Sequence, residues 1–148
     1  MNTPTTSPQE WDEDSVDFFE EPEEGIIKVG DRPVMVYCPT TYGGGDMGFY
    51  KNEWSIKAIY DRNGKRRKPV FDDDWKEIAP GIFTASRSRT ESSRYGDCKQ
   101  AILIERRACP VRVVFRYVSD YNDYDDYAGS SESQETIETL FEAAEEAE

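Results

Sequence analysis

Between residues 33 and 118 apolar and polar positions alternate in short runs, the period of half-buried β-strands. Pro33–Cys38 is a β-branched and aromatic run, and over Phe49–Tyr60 the alternation sets Trp54, Ile56, Ala58 and Tyr60 on one face. Asp61-Arg62-Asn63-Gly64 follows at once, and Asn-Gly behind an alternating run signals a hairpin because both residues tolerate positive φ. Lys65–Phe71 is then the return strand, with Pro69 marking an edge or an end. After a Pro80-Gly81 turn come Ile82–Ser86, Gln100–Arg106 and Val111–Val118. In the last, Val111, Val113, Phe115 and Tyr117 point one way and Arg112, Val114 and Arg116 the other. The pattern predicts about five or six antiparallel strands in a small sheet or barrel.

Toward the C-terminus the period changes. Ser131-Glu132-Ser133-Gln134 has the form of a capping box, and Ile137, Leu140, Phe141 and Ala144 fall at i, i+3, i+4 and i+7. This predicts one short helix whose other face is almost wholly Glu, so the expected class is α+β: the small sheet, a C-terminal acidic helix and an acidic N-terminal arm.

Charge divides the chain in the same places. Residues 1–25 carry nine acids and no base, and residues 119–148 eleven acids and no base. The segment 26–118 therefore holds eleven acids against all 18 bases, so the overall −13 is a body of +7 between arms totalling −20. The expected organisation is a flexible acidic arm (1–25), a basic β domain (26–118), and an acidic Tyr/Asp linker with the C-terminal helix (119–148). The linker repeats Ser-Asp-Tyr, Asn-Asp-Tyr, Asp-Asp-Tyr, which in an extended three-per-turn chain aligns Tyr121, Tyr124 and Tyr127 on one side and Asp120, Asp123 and Asp126 on the next.

Composition excludes more chemistry than it suggests. With no His, Ser-His and Cys-His constellations are ruled out, and the glycines at 43–45 and 48 lack the Gly-Lys-Ser/Thr ending of a phosphate loop, reading instead as a mobile loop. Cys38, Cys98 and Cys109 are odd in number and widely spaced, against a disulfide framework or zinc knuckles. Asp72-Asp73-Asp74 reads as a turn. The expectation is a non-enzymatic protein without metal or cofactor. No secretory leader and no membrane segment is recognisable, which makes the cytoplasm the default compartment.

Two binding functions fit the charge layout. As a helix, Glu135–Glu148 spans roughly 21 Å and carries about one carboxylate per 3.5 Å, close to the phosphate spacing of a DNA strand. The leading expectation is accordingly an acidic inhibitor or nucleic-acid mimic that binds the basic surface of a nucleic-acid-handling protein. Its partner-binding residues would be Trp11, Asp14, Phe18, Phe19, Asp120, Tyr121, Asp123, Tyr124, Asp126, Tyr127, Glu138, Phe141, Glu142 and Glu145: carboxylates steer, aromatics anchor. Small size and a block of carboxylates resemble phage-type DNA mimics. The alternative is single-stranded nucleic-acid binding through Lys65, Arg66, Arg67, Lys68, Arg106, Arg107, Arg112 and Arg116. Phe49, Tyr50, Trp54, Tyr60, Phe71, Phe83, Phe115 and Tyr117 would then be stacking platforms. A basic β body with an acidic tail is similar in outline to the single-stranded DNA-binding proteins of bacteria and phages, a resemblance of composition carried by no motif.

Overall fold

The computed structural model describes residues 13–45, 48–87, 98–123 and 130–145, and among these it contains strands and two short 3-10 turns but no α-helix. The strands are β1 (Asp17–Phe19), β2 (Gly25–Val29), β3 (Val34–Gly45), β4 (Gly48–Tyr60), β5 (Arg66–Arg67), β6 (Lys76–Ala79), β7 (Ile82–Ala85), β8 (Cys98–Ile104), β9 (Val111–Asp123) and β10 (Ser130–Ala143). They form one mixed sheet in the order β2-β10-β9-β4-β3-β8-β7-β6, with β1 parallel to β3 and β5 beside β4. The α+β expectation is thus overturned twice: the sheet has ten strands rather than five or six, and the C-terminal helix is a strand.

The reason lies in two overlapping periods. Ile137 and Phe141 satisfy a helical spacing and a strand spacing equally, and the strand is chosen because it places Ile137, Thr139 and Phe141 inward together. Thr139 is fully buried and its Oγ1 donates to the Glu23 carbonyl. Leu140, which the helix would have buried beside Phe141, faces the other way. β10 then pairs over Ser130–Phe141 with β9, antiparallel, and over Thr139–Ala143 with β2, parallel. These ladders satisfy backbone groups that an isolated Glu-rich helix would hold only weakly.

β3 belongs to two halves of the sheet. Its residues Val34–Pro39 pair with β8, the register shifts between Cys38 and Pro39, and Thr40–Gly45 pair with β4. The sheet folds over at this strand, and a core closes between its halves. Val34, Val36, Ile82, Ile102 and Ile104 come from one side, and Ile56, Ile59, Val113, Phe115 and Phe141 from the other. The opposite face of β3, β7 and β8 is covered as well, by Val16 and Trp75 packed on Met35, Phe83, Ala101 and Leu103. Burial on both sides explains the unbroken apolar run Ala101–Ile104.

Several local readings change. A bulge between Ile56 and Ala58 flips the alternation in β4, so Trp54, Ile56 and Ile59 face the core while Tyr60 turns outward over Arg112. The Asn-Gly turn is a hairpin in which only Gly64 takes positive φ (79°), and its return strand is just two residues, Arg66–Arg67. Gly43–Gly45 and Gly48, expected in a mobile loop, lie in β3 and β4. Tyr50 covers Gly43 from the opposite strand so closely that a Cβ there would sit 2.2 Å from its ring. The described part of the N-terminal arm is equally fixed. Arg32 Nη2 donates to the Asp14 and Val16 carbonyls at 2.9 Å each, and Phe18 packs edge-on against Tyr37 at 4.9 Å.

Candidate interaction surface

β4, β9 and the first half of β10 run on past the core, joined by the second half of β3, as a four-stranded arm. On this arm stand four of the large exposed hydrophobics of the described residues: Tyr42, Phe49, Tyr50 and Tyr121. Of the whole described surface only Ile26 and Val70 add to this set of exposed large hydrophobics. Register places Tyr50 opposite Tyr121, Tyr42 opposite Lys51, and Lys51 opposite Asp120, which is itself opposite Glu132. A hollow of about 450 Å³ opens among Phe49, Lys51, Asp120, Tyr121, Asn122, Ser131 and Glu132. Its aromatic walls and carboxylates make a surface suited to a cationic, partly apolar counterpart.

The sequence-derived partner residues scatter over this framework. Asp120 and Tyr121 line the hollow. Asp123 closes β9 opposite Gly48. Asp14 and Glu145 are exposed, away from the arm's ladder pairings. Phe18 and Phe19 are half-buried and pack against the two cores, and Phe141 is wholly buried in the fold. Trp11, Tyr124, Asp126 and Tyr127 lie outside the described residues. Because Ser119–Asp123 is β-strand, successive side chains alternate faces, and the three-per-turn alignment of the Asp-Tyr repeat does not form over this stretch.

Charge density changes most. In a strand, Glu132, Glu135, Glu138 and Glu142 follow one another at about 10–13 Å, roughly three to four times the phosphate spacing the helix would have matched. Two of these carboxylates are also engaged: Glu138 takes the Arg112 guanidinium, and Glu142 binds Lys28 Nζ at 2.7 Å. Hydrogen bonding to Glu142 raises the Lys28 ammonium above its usual range, and the bond to Glu138 does the same for Arg112. Two of the body's cations, Lys28 and Arg112, are thus answered by the C-terminal segment.

The basic residues of the alternative reading are divided likewise. Arg67 pairs with Asp61 at 2.8 Å, Arg107 with Glu105 at 2.6 Å and Glu77 at 2.9 Å, and Arg106 Nη2 donates to the Ala144 carbonyl. Arg112 lies 4.0 Å from the Tyr60 ring as well as against Glu138. Lys65, Arg66 and Lys68 remain exposed around the hairpin. Of the proposed stacking platforms, Phe83 and Phe115 are buried core residues.

The thiols of Cys38 and Cys109 are buried and unlinked, and burial pushes Cys109 up to about 11, which keeps it protonated and unreactive. Asp72 and Asp73 offer backbone carbonyls to Ser86 N and Arg87 Nη1, which docks their loop against the end of β7. No helix among the described residues is long and apolar enough to cross a membrane. Compared with known protein families, with curated proteins and with solved structures, the chain matches none. Tyr42 was not legible as a surface residue, since Thr41 and Gly43 beside it carry no apolar alternation; only the extension of β3 past Pro39 shows where it stands.

Proposed function

We propose that this chain is a non-enzymatic interaction protein that binds the basic surface of a protein partner, a nucleic-acid-handling one, and blocks it by occupation. One observation carries the reading: Phe49 and Tyr121 are exposed at the end of the strand arm around a hollow that also holds Asp120 and Glu132, and Tyr42 and Tyr50 are exposed on the same strands. Tyrosines on fixed strands bury much area for little lost conformational freedom, and neighbouring carboxylates steer a cationic partner into register. Inhibition here rests on shape and steering at this patch, no longer on a phosphate-like row of charges. A cytoplasmic setting fits the two buried, unlinked thiols.

The exposed Lys65, Arg66 and Lys68 favour a second reading, weak contact with a nucleic-acid strand at the β4–β5 hairpin. The two separate in one pair of measurements on the full chain. In the first, basic proteins retained from a nuclease-treated lysate are identified, and each is assayed for nucleic-acid binding with and without the chain. In the second, the chain itself is titrated with a labelled single-stranded oligonucleotide. A retained protein that loses nucleic-acid binding, with a complex that dissolves at high salt and a Tyr50→Ala/Tyr121→Ala double variant that fails to form it, is the expected result. Oligonucleotide binding by the chain, with a steep salt dependence and no inhibition of any basic protein, overturns it.

A further inference from the structure

A second, smaller hollow lies on the inner side of the same arm, where β4 and β9 emerge from the core. It measures about 270 Å³ and is lined by Glu21, Pro39, Thr41, Asn52, Trp54 and Tyr117. The sheet register builds it. Trp54 stands opposite Tyr117, with ring centroids 4.8 Å apart and planes tilted by 48°, and Asn52 opposite Ser119, whose Oγ donates to Asn52 Oδ1 at 2.8 Å. On the far side of β9 the residue facing Tyr117 is Glu135. The segment ahead of β2, held by the bond from Thr139 to the Glu23 carbonyl, brings Glu21 to the rim.

The lining holds two aromatic rings, two hydroxyls, an amide and a carboxylate, and no cationic side chain. An anion is disfavoured, because Glu21 and Glu135 are both near; burial and these two carboxylates raise the Tyr117 phenol above its ordinary value. A drug-sized ligand needs about 300–1,000 Å³, so a hollow this small suits one side chain rather than a whole small molecule. Aromatic rings beside a carboxylate are the surroundings in which a desolvated cation is held by ring quadrupole and Coulomb attraction together. Between the two protein cations, the guanidinium is planar, stacks on rings and gives up its hydration more readily than an ammonium.

We propose that this hollow receives a single arginine side chain from the partner, lodged against Trp54 and Tyr117 with its guanidinium facing Glu21. The assignment rests on the reading of the chain as a binder of basic protein surfaces and supplies the specific contact that the broader aromatic patch lacks. The partner thus presents a protruding arginine, and a lysine at that place binds less well.

The test uses the full chain and a defined probe, N-acetyl-Gly-Arg-Gly-amide, followed by two-dimensional NMR through the tryptophan indole signals. The Trp54 indole shifts with the arginine peptide, clearly less with the lysine peptide, and not with the uncharged citrulline peptide. Glu21→Gln, an exposed position whose melting temperature stays unchanged, weakens binding roughly fivefold, the weight of one partly screened charge contact. Equal shifts with the citrulline peptide, no change in E21Q, or perturbation confined to signals other than Trp54 overturns the assignment. If the probe fails while a basic protein is still held and inhibited through Tyr50 and Tyr121, this inference alone falls. If the probe binds at Trp54 and no basic protein is inhibited, the hollow stands and the blocking function falls.

Discussion

Asp61 holds the β4–β5 hairpin closed through a single carboxylate. Its Oδ1 accepts from the amides of Asn63 and Lys65 at 2.9 Å each, and its Oδ2 meets Arg67 Nε at 2.8 Å. The amide of Lys65, then the Arg67 guanidinium and the amide of Asn63, hold the carboxyl below its ordinary value of 3.8, against the opposing effect of burial. A native value below the unfolded one means that the stabilisation is complete above pH 3.8 and fades as the pH falls below it through the native value. Asp61→Asn keeps an acceptor but no charge, so it melts lower than the wild type at neutral pH, and the gap closes on acidification. Thermal melts of both proteins from pH 7 to about pH 2 check this; a gap of constant width would assign the loss to something other than the ionised carboxylate. The turn residues here were legible, because Asn63-Gly64 after an alternating run has few other uses, but the anchoring role of Asp61 was not: its partners are two turn amides and one residue of a return strand only two residues long.

At the scale of elements, the legible strands were those whose alternation is backed by β-branched and aromatic residues, as in β9 with Val111, Val113 and Phe115 inward. Three kinds of strand escaped. β1 sits in a segment so acidic that composition pointed to a flexible arm, and β2 begins where that segment ends, in a run too short to show alternation. The outer half of β3 runs through Pro39 and Gly43–Gly45, residues that ordinarily interrupt strands, and is rescued by pairing with β4. β10 carries Glu and Ala typical of helices, and its burial pattern emerges only from the long-range partners β9 and β2. Substitution separates the two readings of β10 cleanly. A helix would make Leu140 and Phe141 comparable; the strand predicts that Phe141→Ala costs about 3–5 kcal/mol and Leu140→Ala about 1 kcal/mol or less, in denaturant unfolding followed by fluorescence. Equal costs would contradict the ladder.

At the scale of the molecule, ion pairs among the described residues join both acidic flanks to the basic body. Lys28 meets Glu142, Arg32 comes within 3.8 Å of Asp17, and Arg112 meets Glu138, so each flanking segment lies against the basic body. Among the described residues β1 and β10, from the acidic flanks, belong to the same sheet as the strands of the basic body, and for β10 this could not be read from the sequence because it depends on its lying between β9 and β2. If these contacts mask the body's cations, then Glu138→Gln combined with Glu142→Gln should release Arg112 and Lys28. The double variant gains measurable single-stranded oligonucleotide binding, with a salt slope of about one to two released counterions, where the wild type shows none in the same gel-shift assay. An unchanged double variant would mean that these pairs conceal nothing a phosphate can use.

The parallel pairing of β2 with β10 also sets an order in time. Lys28 and Glu142, which meet across this seam, are separated by 114 positions, so β2 leaves the ribosome long before its partner strand exists. Until then its edge is open and Ile26, exposed even in the finished fold, stands on it. The shortness of β2 and the lysine it carries, Lys28, are the features that keep such a waiting edge from recruiting another chain. The closing strand is also the last of the ten described strands to be made, so the nascent protein cannot complete this sheet until Ser130–Ala143 has been synthesised.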